Sequence, residues 1–240
     1  MKKIIFIYGV TAYLIAFVGQ LVFTLYVGGF NILGRSINDN QTVDTLEAII
    51  INIALTIFFG IQHSVMARSW LKNITTKIIP QASERSTYTL FSGIALIIVT
   101  LYWQPINGFI WNLNSGIAYY IMLALFIFGW TFSLVSTFVI NHFELFGLQQ
   151  VYNNLKNIEE KESQFSERLF YKFIRHPIQL GVIIGLFFAP TMSYSHLLLA
   201  LLFTIYIFIG LYLEEKTLEK DLGETYKDYK KRVGMLIPKL

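Results

Sequence analysis

The chain has 240 residues, of which 55% are hydrophobic and 14% charged, with a formal net charge of +4. So apolar a composition at this length allows one membrane domain and excludes a sizeable soluble one, and the small positive excess marks orientation in a membrane rather than affinity for nucleic acid. The absence of cysteine excludes disulfides, thiolate metal sites and a covalent thiol nucleophile.

About 20 residues at 1.5 Å each cross a hydrocarbon core of roughly 30 Å. Six stretches are candidates. Ile4 to Tyr26 follows Lys2 and Lys3; it has no convincing small-residue cleavage site and reads as an uncleaved first helix. Leu46 to Met66 is long enough to span. Tyr88 to Trp103 is short and is expected either to cross or to lie tilted, with Phe109, Ile110 and Trp111 at the outer surface. Ile117 to Ile140 spans easily. Ile178 to Pro190 and His196 to Leu213 form one uncharged run that would reach about 54 Å as a straight helix, so it must fold back, at Ala189-Pro190-Thr191-Met192-Ser193. The expected fold is an all-α integral membrane protein, a bundle of about six transmembrane helices whose last two make a tight hairpin. One membrane domain covers 1–240: an N-terminal four-helix segment over 1–140, a connection 141–177, the hairpin 178–213 and a C-terminal helix or tail 214–240.

All the Lys and Arg residues except Arg35 fall at the N-terminus, in 67–87, in 141–177 or after the last span. The positive-inside rule then places both termini and those loops in the cytoplasm, in agreement with an even number of spans. No internal repeat, low-complexity tract or phosphate-binding glycine loop is present.

On this topology the polar residues gather at the cytoplasmic ends. His63 closes the second span, Asn141, His142 and Glu144 close the fourth, Arg175 and His176 open the fifth, and Glu214 and Glu215 close the sixth. Ionisable groups at a membrane boundary are costly unless they pair or line a wet cavity, which suggests one polar pocket fed by four helices. Duller readings stand beside this one. Helix ends must become polar somewhere, Arg175 can be a topology marker, and Glu214-Glu215 followed by Lys216 can be a solvated helix end. His63 is harder to dismiss, because it lies a turn inside an apolar stretch and needs a partner there. His196 falls on the opposite side and reads as a loop or interface residue. The stretch from Gln149 to Phe173, rich in Glu, Lys and Asn, reads as an amphipathic or mobile lid.

The segment Arg175-His176-Pro177-Ile178-Gln179-Leu180-Gly181 resembles the Arg-His-Pro signature of the isoprenylcysteine carboxyl methyltransferase superfamily, integral membrane enzymes that use S-adenosylmethionine. Gln179 stands where that superfamily commonly has Tyr. Glu214-Glu215, then Leu218, Gly223, Tyr226, Tyr229, Val233, Ile237 and Pro238, resemble its closing stretch. A narrower resemblance covers most of the chain. Gln62-His63-Ser64-Val65-Met66-Ala67-Arg68, Glu84-Arg85-Ser86-Thr87-Tyr88, Trp103-Gln104-Pro105 and the stretch from Ser136 through Asn141, His142 and Glu144 to Leu148 are similar to segments of the bacterial methanethiol S-methyltransferases. Glu144 replaces a more usual Asp and keeps the carboxylate.

The resemblance implies methyl transfer from S-adenosylmethionine to a small thiol, most simply methanethiol to dimethyl sulfide, in a bacterial inner membrane. By the same resemblance, Arg175, His176, Pro177, Gln179, Leu180, Gly181, Glu214 and Glu215 would bind the cofactor. His63 and His142 would serve the acceptor, one of them as base, with Asn141, Glu144 and Arg85 orienting it. The expected partners are a small thiol and the lipid bilayer, with no metal, no nucleic acid and no obligatory protein partner. Spacing does not choose between the histidines. Other acceptors (hydrogen sulfide, a lipid or a prenylcysteine carboxylate) stay open, and so does a non-enzymatic transporter or sensor.

Overall fold

The computed structural model describes residues 1–159 and 167–239. Among them five helices are long and apolar enough to cross a membrane: Lys2–Val27, Thr45–Met66, Gln81–Tyr102, Gly116–Ile140 and Tyr194–Leu222. The chain is an all-α integral membrane protein with one two-stranded sheet. It divides into two compact units, Met1–Asn107 with Asn141–Ser163, and Gly108–Ile140 with Gln164–Leu240.

The first unit contains α1 (Lys2–Val27), α2 (Thr45–Met66), α3 (Ser69–Thr75), α4 (Glu84–Tyr102), α6 (His142–Leu145) and α7 (Leu148–Lys156). Helices α1 and α4 approach closely because small residues face each other. A Cβ on Gly19 would stand 2.5 Å from the Gly93 carbonyl oxygen. Bilayer helices gain nothing from hiding apolar surface from lipid, so such contacts supply the packing energy. Helix α2 starts where the Asp44 side chain accepts from the Leu46 and Glu47 N–H groups. Its fully buried Asn52 donates to the Gln104 carbonyl oxygen and accepts from the Gln104 N–H, both at 2.8 Å, which ties α2 to the chain leaving α4. The third span is not short. The helix begins at Glu84, before the apolar stretch, because the polar first turn Glu84–Thr87 is helical too.

The second unit contains β1 (Phe109–Asn112), α5 (Gly116–Ile140), α8 (Pro177–Phe187), β2 (Thr191–Ser193), α9 (Tyr194–Leu222) and α10 (Glu224–Arg232). The expected fifth span differs. Helix α8 has 11 residues, about 16 Å, half of a bilayer core. It still forms a helical hairpin with α9. The turn carries β2, which pairs antiparallel with β1 in the register Phe109↔Ser193, Trp111↔Met192, Asn112↔Thr191. Phe109 and Trp111 thus pair in a ladder that is irregular between them, at Ile110, and Trp111 Nε1 donates to the Ala189 carbonyl oxygen at 2.9 Å.

His196, expected in a loop or interface, is instead fully buried in the first turn of α9. Its Nε2 lies 2.8 Å from the Leu186 carbonyl oxygen and its Nδ1 3.2 Å from that of Thr191, so it closes the hairpin turn. Helix α9 runs nine residues beyond the expected apolar end at Leu213, to Leu222. Helix α10 folds back on it through Tyr226, Tyr229 and Val233 against Leu218 and Leu222.

The expected lid, 149–173, includes residues 160–166, which lie outside the described residues. It opens with α7, ordered against α1, where the Val151 side chain fills the space a Cβ on Gly9 would need.

Candidate functional site

The expected site residues form two clusters, one in each unit. In the second unit His176 precedes α8 and Pro177 occupies its first turn, where proline's fixed φ and missing N–H cost nothing. The backbone there is bolted to the C-terminal tail. Arg175 N–H donates to the Gly234 carbonyl oxygen at 2.9 Å, and His176 N–H to that of Met235 at 3.1 Å.

Three side chains then meet on Glu215, which is 4% exposed. Arg175 Nε donates to Glu215 Oε1 at 2.7 Å, and His176 Nε2 lies 3.1 Å from the same oxygen. Lys230 Nζ reaches Oε2 at 2.9 Å and also pairs with Glu219 at 2.7 Å. Arg175 Nη1 further donates to the Val233 carbonyl oxygen. Glu215 is therefore saturated, as a buried carboxylate must be. Hydrogen bonds to Glu215 and Glu219 raise the pKa of Lys230, which stays charged. Burial pushes the Tyr229 hydroxyl up to about 12, and it donates to the Tyr171 carbonyl oxygen at 2.6 Å.

The neighbouring Glu214 behaves differently. It is exposed and has no hydrogen-bond or ion-pair partner among the described residues. One helical step of about 100° turns two adjacent carboxylates to different surroundings.

Gly181 meets protein. A Cβ there would stand 2.5 Å from the Ser133 N and 2.6 Å from the Gly129 carbonyl oxygen, so this glycine lets α8 press against α5. Gln179 and Leu180 are half-buried in the first turns of α8. The Leu180 N–H donates to the His176 carbonyl oxygen at 3.1 Å.

In the first unit His63, in the last turn of α2, stacks on Phe59 with ring centroids 5.4 Å apart. The Ser92 hydroxyl donates to the Tyr88 carbonyl oxygen at 2.9 Å, which leaves its oxygen to accept from His63 Nδ1 at 3.0 Å. That arrangement fits a proton on Nδ1, with Nε2 accepting from the Tyr88 hydroxyl at 2.7 Å, although the same hydroxyl also lies 3.2 Å from Nδ1.

His142 is 3% exposed among the rings of Tyr13, Phe143 and Phe146. Its Nε2 lies 2.8 Å from the Tyr13 hydroxyl. Burial lowers its pKa from the usual histidine value, so the ring is neutral at neutral pH.

Asn141 and Glu144 hold the turn that carries His142. Asn141 caps α6 by accepting from the Glu144 N–H at 3.3 Å, and its Nδ2 donates to Glu144 Oε2 at 2.8 Å and to Gln149 Oε1 at 2.7 Å. Arg85 Nε donates to the Leu145 carbonyl oxygen at 2.7 Å, while its guanidinium lies 4.9 Å from the centroid of the Tyr88 ring. One arginine thereby braces the turn bearing His142 and the tyrosine bonded to His63. Gly147, at φ +86°, completes the turn. A Cβ there would stand 2.5 Å from the Ser86 N, and the Ser86 hydroxyl donates to the Gly147 carbonyl oxygen at 3.1 Å.

Comparison with known proteins decides the family. The chain is 43% identical to methanethiol S-methyltransferase 1 of Bradyrhizobium diazoefficiens over 99% of its own length and 83% of that protein. It is 39% identical to the methanethiol S-methyltransferase of Crocosphaera subtropica over 99% of the chain and 92% of the relative, and 38% identical to that of Mycobacterium tuberculosis over 97% and 95%. The chain belongs to the methanethiol S-methyltransferase family. It is a methyltransferase, and the transporter or sensor reading is set aside. No family model matches the chain, and no solved structure matches it.

Within this family member, sequence reasoning missed Tyr13, Tyr88 as a ligand of His63, Ser92, Gln149 and Lys230. Tyr88 and Ser92 share a helix face at i, i+4, a detectable spacing. Tyr13 gives no signal, because a tyrosine in an apolar span reads as a lipid-facing residue. Among the described residues no group of three or more His, Cys, Asp or Glu side chains is placed to hold a metal ion.

Proposed function

We propose that this enzyme transfers a methyl group from S-adenosylmethionine to methanethiol, giving dimethyl sulfide. The observation that carries the reading is similarity over nearly the whole chain to several relatives named for that reaction.

The residues of the second unit fit the donor's chemistry. That molecule offers ribose hydroxyls and an ammonium group, and Glu214 is an open carboxylate beside a rigidly held His176. Glu214 accepts hydrogen bonds from those groups, while Glu215, Arg175 and Lys230 hold the backbone that presents it. When bound, the donor supplies an electrophilic methyl on a sulfonium cation.

Alkyl thiols are weak acids, with protein thiols near pKa ~8.5, and only the thiolate is a good nucleophile. A neutral histidine takes the proton at Nε2, directly or through the tyrosine hydroxyl bonded there. His142 with Tyr13 and His63 with Tyr88 are the two pairs that can do so. Asn141, Glu144 and Arg85 keep the His142 turn in place, and a dry pocket favours the cancellation of opposite charges as sulfur attacks. The concentration of cations in 67–87, in 141–177 and after the last span supports a cytoplasmic placement of those loops and of both termini, as in an enzyme of a bacterial inner membrane whose single methyltransferase domain spans the chain.

Headspace gas chromatography of the purified protein with S-adenosylmethionine and methanethiol tests the reading, with His63→Ala and His176→Ala alongside. Dimethyl sulfide from the parent and a large loss in His176→Ala is the expected result, with a large loss in His63→Ala as well if His63 is the base. No product from protein that binds the donor would overturn the acceptor and direct attention to hydrogen sulfide, lipid or prenylcysteine carboxylates.

A further inference from the structure

Helix α2 ends at Met66, and only Ala67 and Arg68 separate it from α3. A helix begun two residues beyond a membrane span starts at the bilayer surface. Helix α3 buries none of its residues. Trp70 is 55% exposed, Ile74 48% and, in the turn that follows, Ile78 81%. Within α3, Trp70, Leu71 and Ile74 share one face and Lys72 and Thr75 the other, with Arg68 at its start and Lys77 and Ile78 in the exposed turn that follows.

Such a face left in water would be unfavourable, and Trp70, Ile74 and Ile78 stay exposed in the described chain while Leu71 is half-buried. Tryptophan is a residue of the membrane interface, where its ring meets lipid and its N–H meets water.

The charge of the segment points the same way. Between Ala67 and Ser83 there is no Asp or Glu, and Arg68, Lys72 and Lys77 are all cationic. None of these three side chains makes an ion pair or hydrogen bond among the described residues. The contrast with the C-terminal cations is direct. Lys227 pairs with Glu224, Lys230 with Glu215 and Glu219, Lys231 with Asp228 and Arg232 with Glu167. The carboxylates that neutralise basic residues near the C-terminus are missing beside α3.

We propose that residues 67–80 form an interfacial anchor that lies in the bilayer surface and holds anionic phospholipid headgroups on Arg68, Lys72 and Lys77. The apolar face enters the acyl boundary, and the long basic side chains reach the phosphodiesters beside it. Each cation near such a surface favours anionic lipid by about fivefold at low ionic strength.

The cysteine-free chain makes the test direct. Ile74→Cys, and separately Ile78→Cys, is labelled with a nitroxide in the full-length protein. Each is placed in nanodiscs of phosphatidylcholine alone or mixed with phosphatidylglycerol. Relaxation by oxygen, which concentrates in lipid, is compared with relaxation by a water-soluble nickel chelate.

The expected result is a label relaxed mainly by oxygen, more deeply placed with phosphatidylglycerol by a several-fold change in the two relaxation rates. Replacing Arg68, Lys72 and Lys77 by Gln should abolish that lipid dependence while the thermal melt stays unchanged, and Lys72→Gln alone should reduce it. A label open to the nickel chelate in both membranes overturns the anchor. A label equally deep in both, with the Gln variant no different, overturns the anionic headgroups as its ligand.

Discussion

Tyr13 and His142 meet oxygen to nitrogen, the hydroxyl 2.8 Å from Nε2, and Tyr88 and His63 repeat the arrangement at 2.7 Å. Two histidines from different helices thus each carry a tyrosine hydroxyl on the same ring nitrogen. Removing the histidine that acts as base should lower kcat about 100- to 10,000-fold, the usual contribution of general base catalysis. Removing only its tyrosine hydroxyl should cost up to roughly tenfold, the net value of one hydrogen bond. Dimethyl sulfide production by His63→Ala, His142→Ala, Tyr13→Phe and Tyr88→Phe checks this. Equal small losses in all four would show that neither histidine takes the proton.

The pKa of His142 is lowered by burial, so the folded protein binds this proton less readily than the unfolded chain does. Above about pH 6.5 the residue is neutral in both states and has no effect on stability. As the pH falls below that value the unfolded chain takes up a proton first, and stability declines until the folded pKa is passed. Thermal melts between pH 7.5 and pH 5, about the window these values define, should show a steeper acid loss for the parent than for His142→Gln. If His142 is the base, the acid limb of kcat should also lie below the ordinary histidine range.

Substitutions at Arg175 and Glu214 test whether the first charge is structural and the second belongs to the proposed donor site. Arg175→Met leaves buried Glu215 short of a partner, and breaking a buried pair costs about 3–5 kcal/mol. Glu214→Gln removes a charge that makes no hydrogen bond or ion pair among the described residues, although the charges of His176 and Glu215 act on it. It should leave the melting temperature unchanged and weaken donor binding by about tenfold or more, as expected for a hydrogen bond to a charged group. Melting curves and calorimetric titration with S-adenosylmethionine read the two effects independently. A Glu214→Gln protein that binds the donor normally would remove Glu214 from the donor site.

Gly181→Ala should act through packing. The added methyl meets Ser133 and the Gly129 carbonyl oxygen on α5, and overpacking of this kind costs about 1–3 kcal/mol. A lower melting temperature with unchanged donor affinity is the expected pattern. Weakened donor binding at full stability would place the ligand against this glycine after all.

Hydropathy determined the membrane class and found the five helices long enough to span, because a bilayer demands about 20 apolar residues whatever packs around them, but it counted the 11-residue α8 as a sixth span and ended α9 nine residues early. The motif Arg175-His176-Pro177 and the Glu214-Glu215 pair were legible as local strings, and so were His63, Asn141, His142 and Glu144. Sequence could not assign their tasks, because those depend on contacts between residues far apart in the chain. Tertiary structure separated Glu215, saturated by Arg175, His176 and Lys230, from Glu214 one residue away. It set Gly181 against α5 and placed the Arg85 Nε against the Leu145 carbonyl oxygen, in the turn that carries His142. It also supplied Tyr13, unremarkable in an apolar helix until His142, 129 positions later, is folded against it. Apolar length is a property of one segment and survives in the sequence, whereas a hydrogen bond between distant side chains exists only once packing has brought them together.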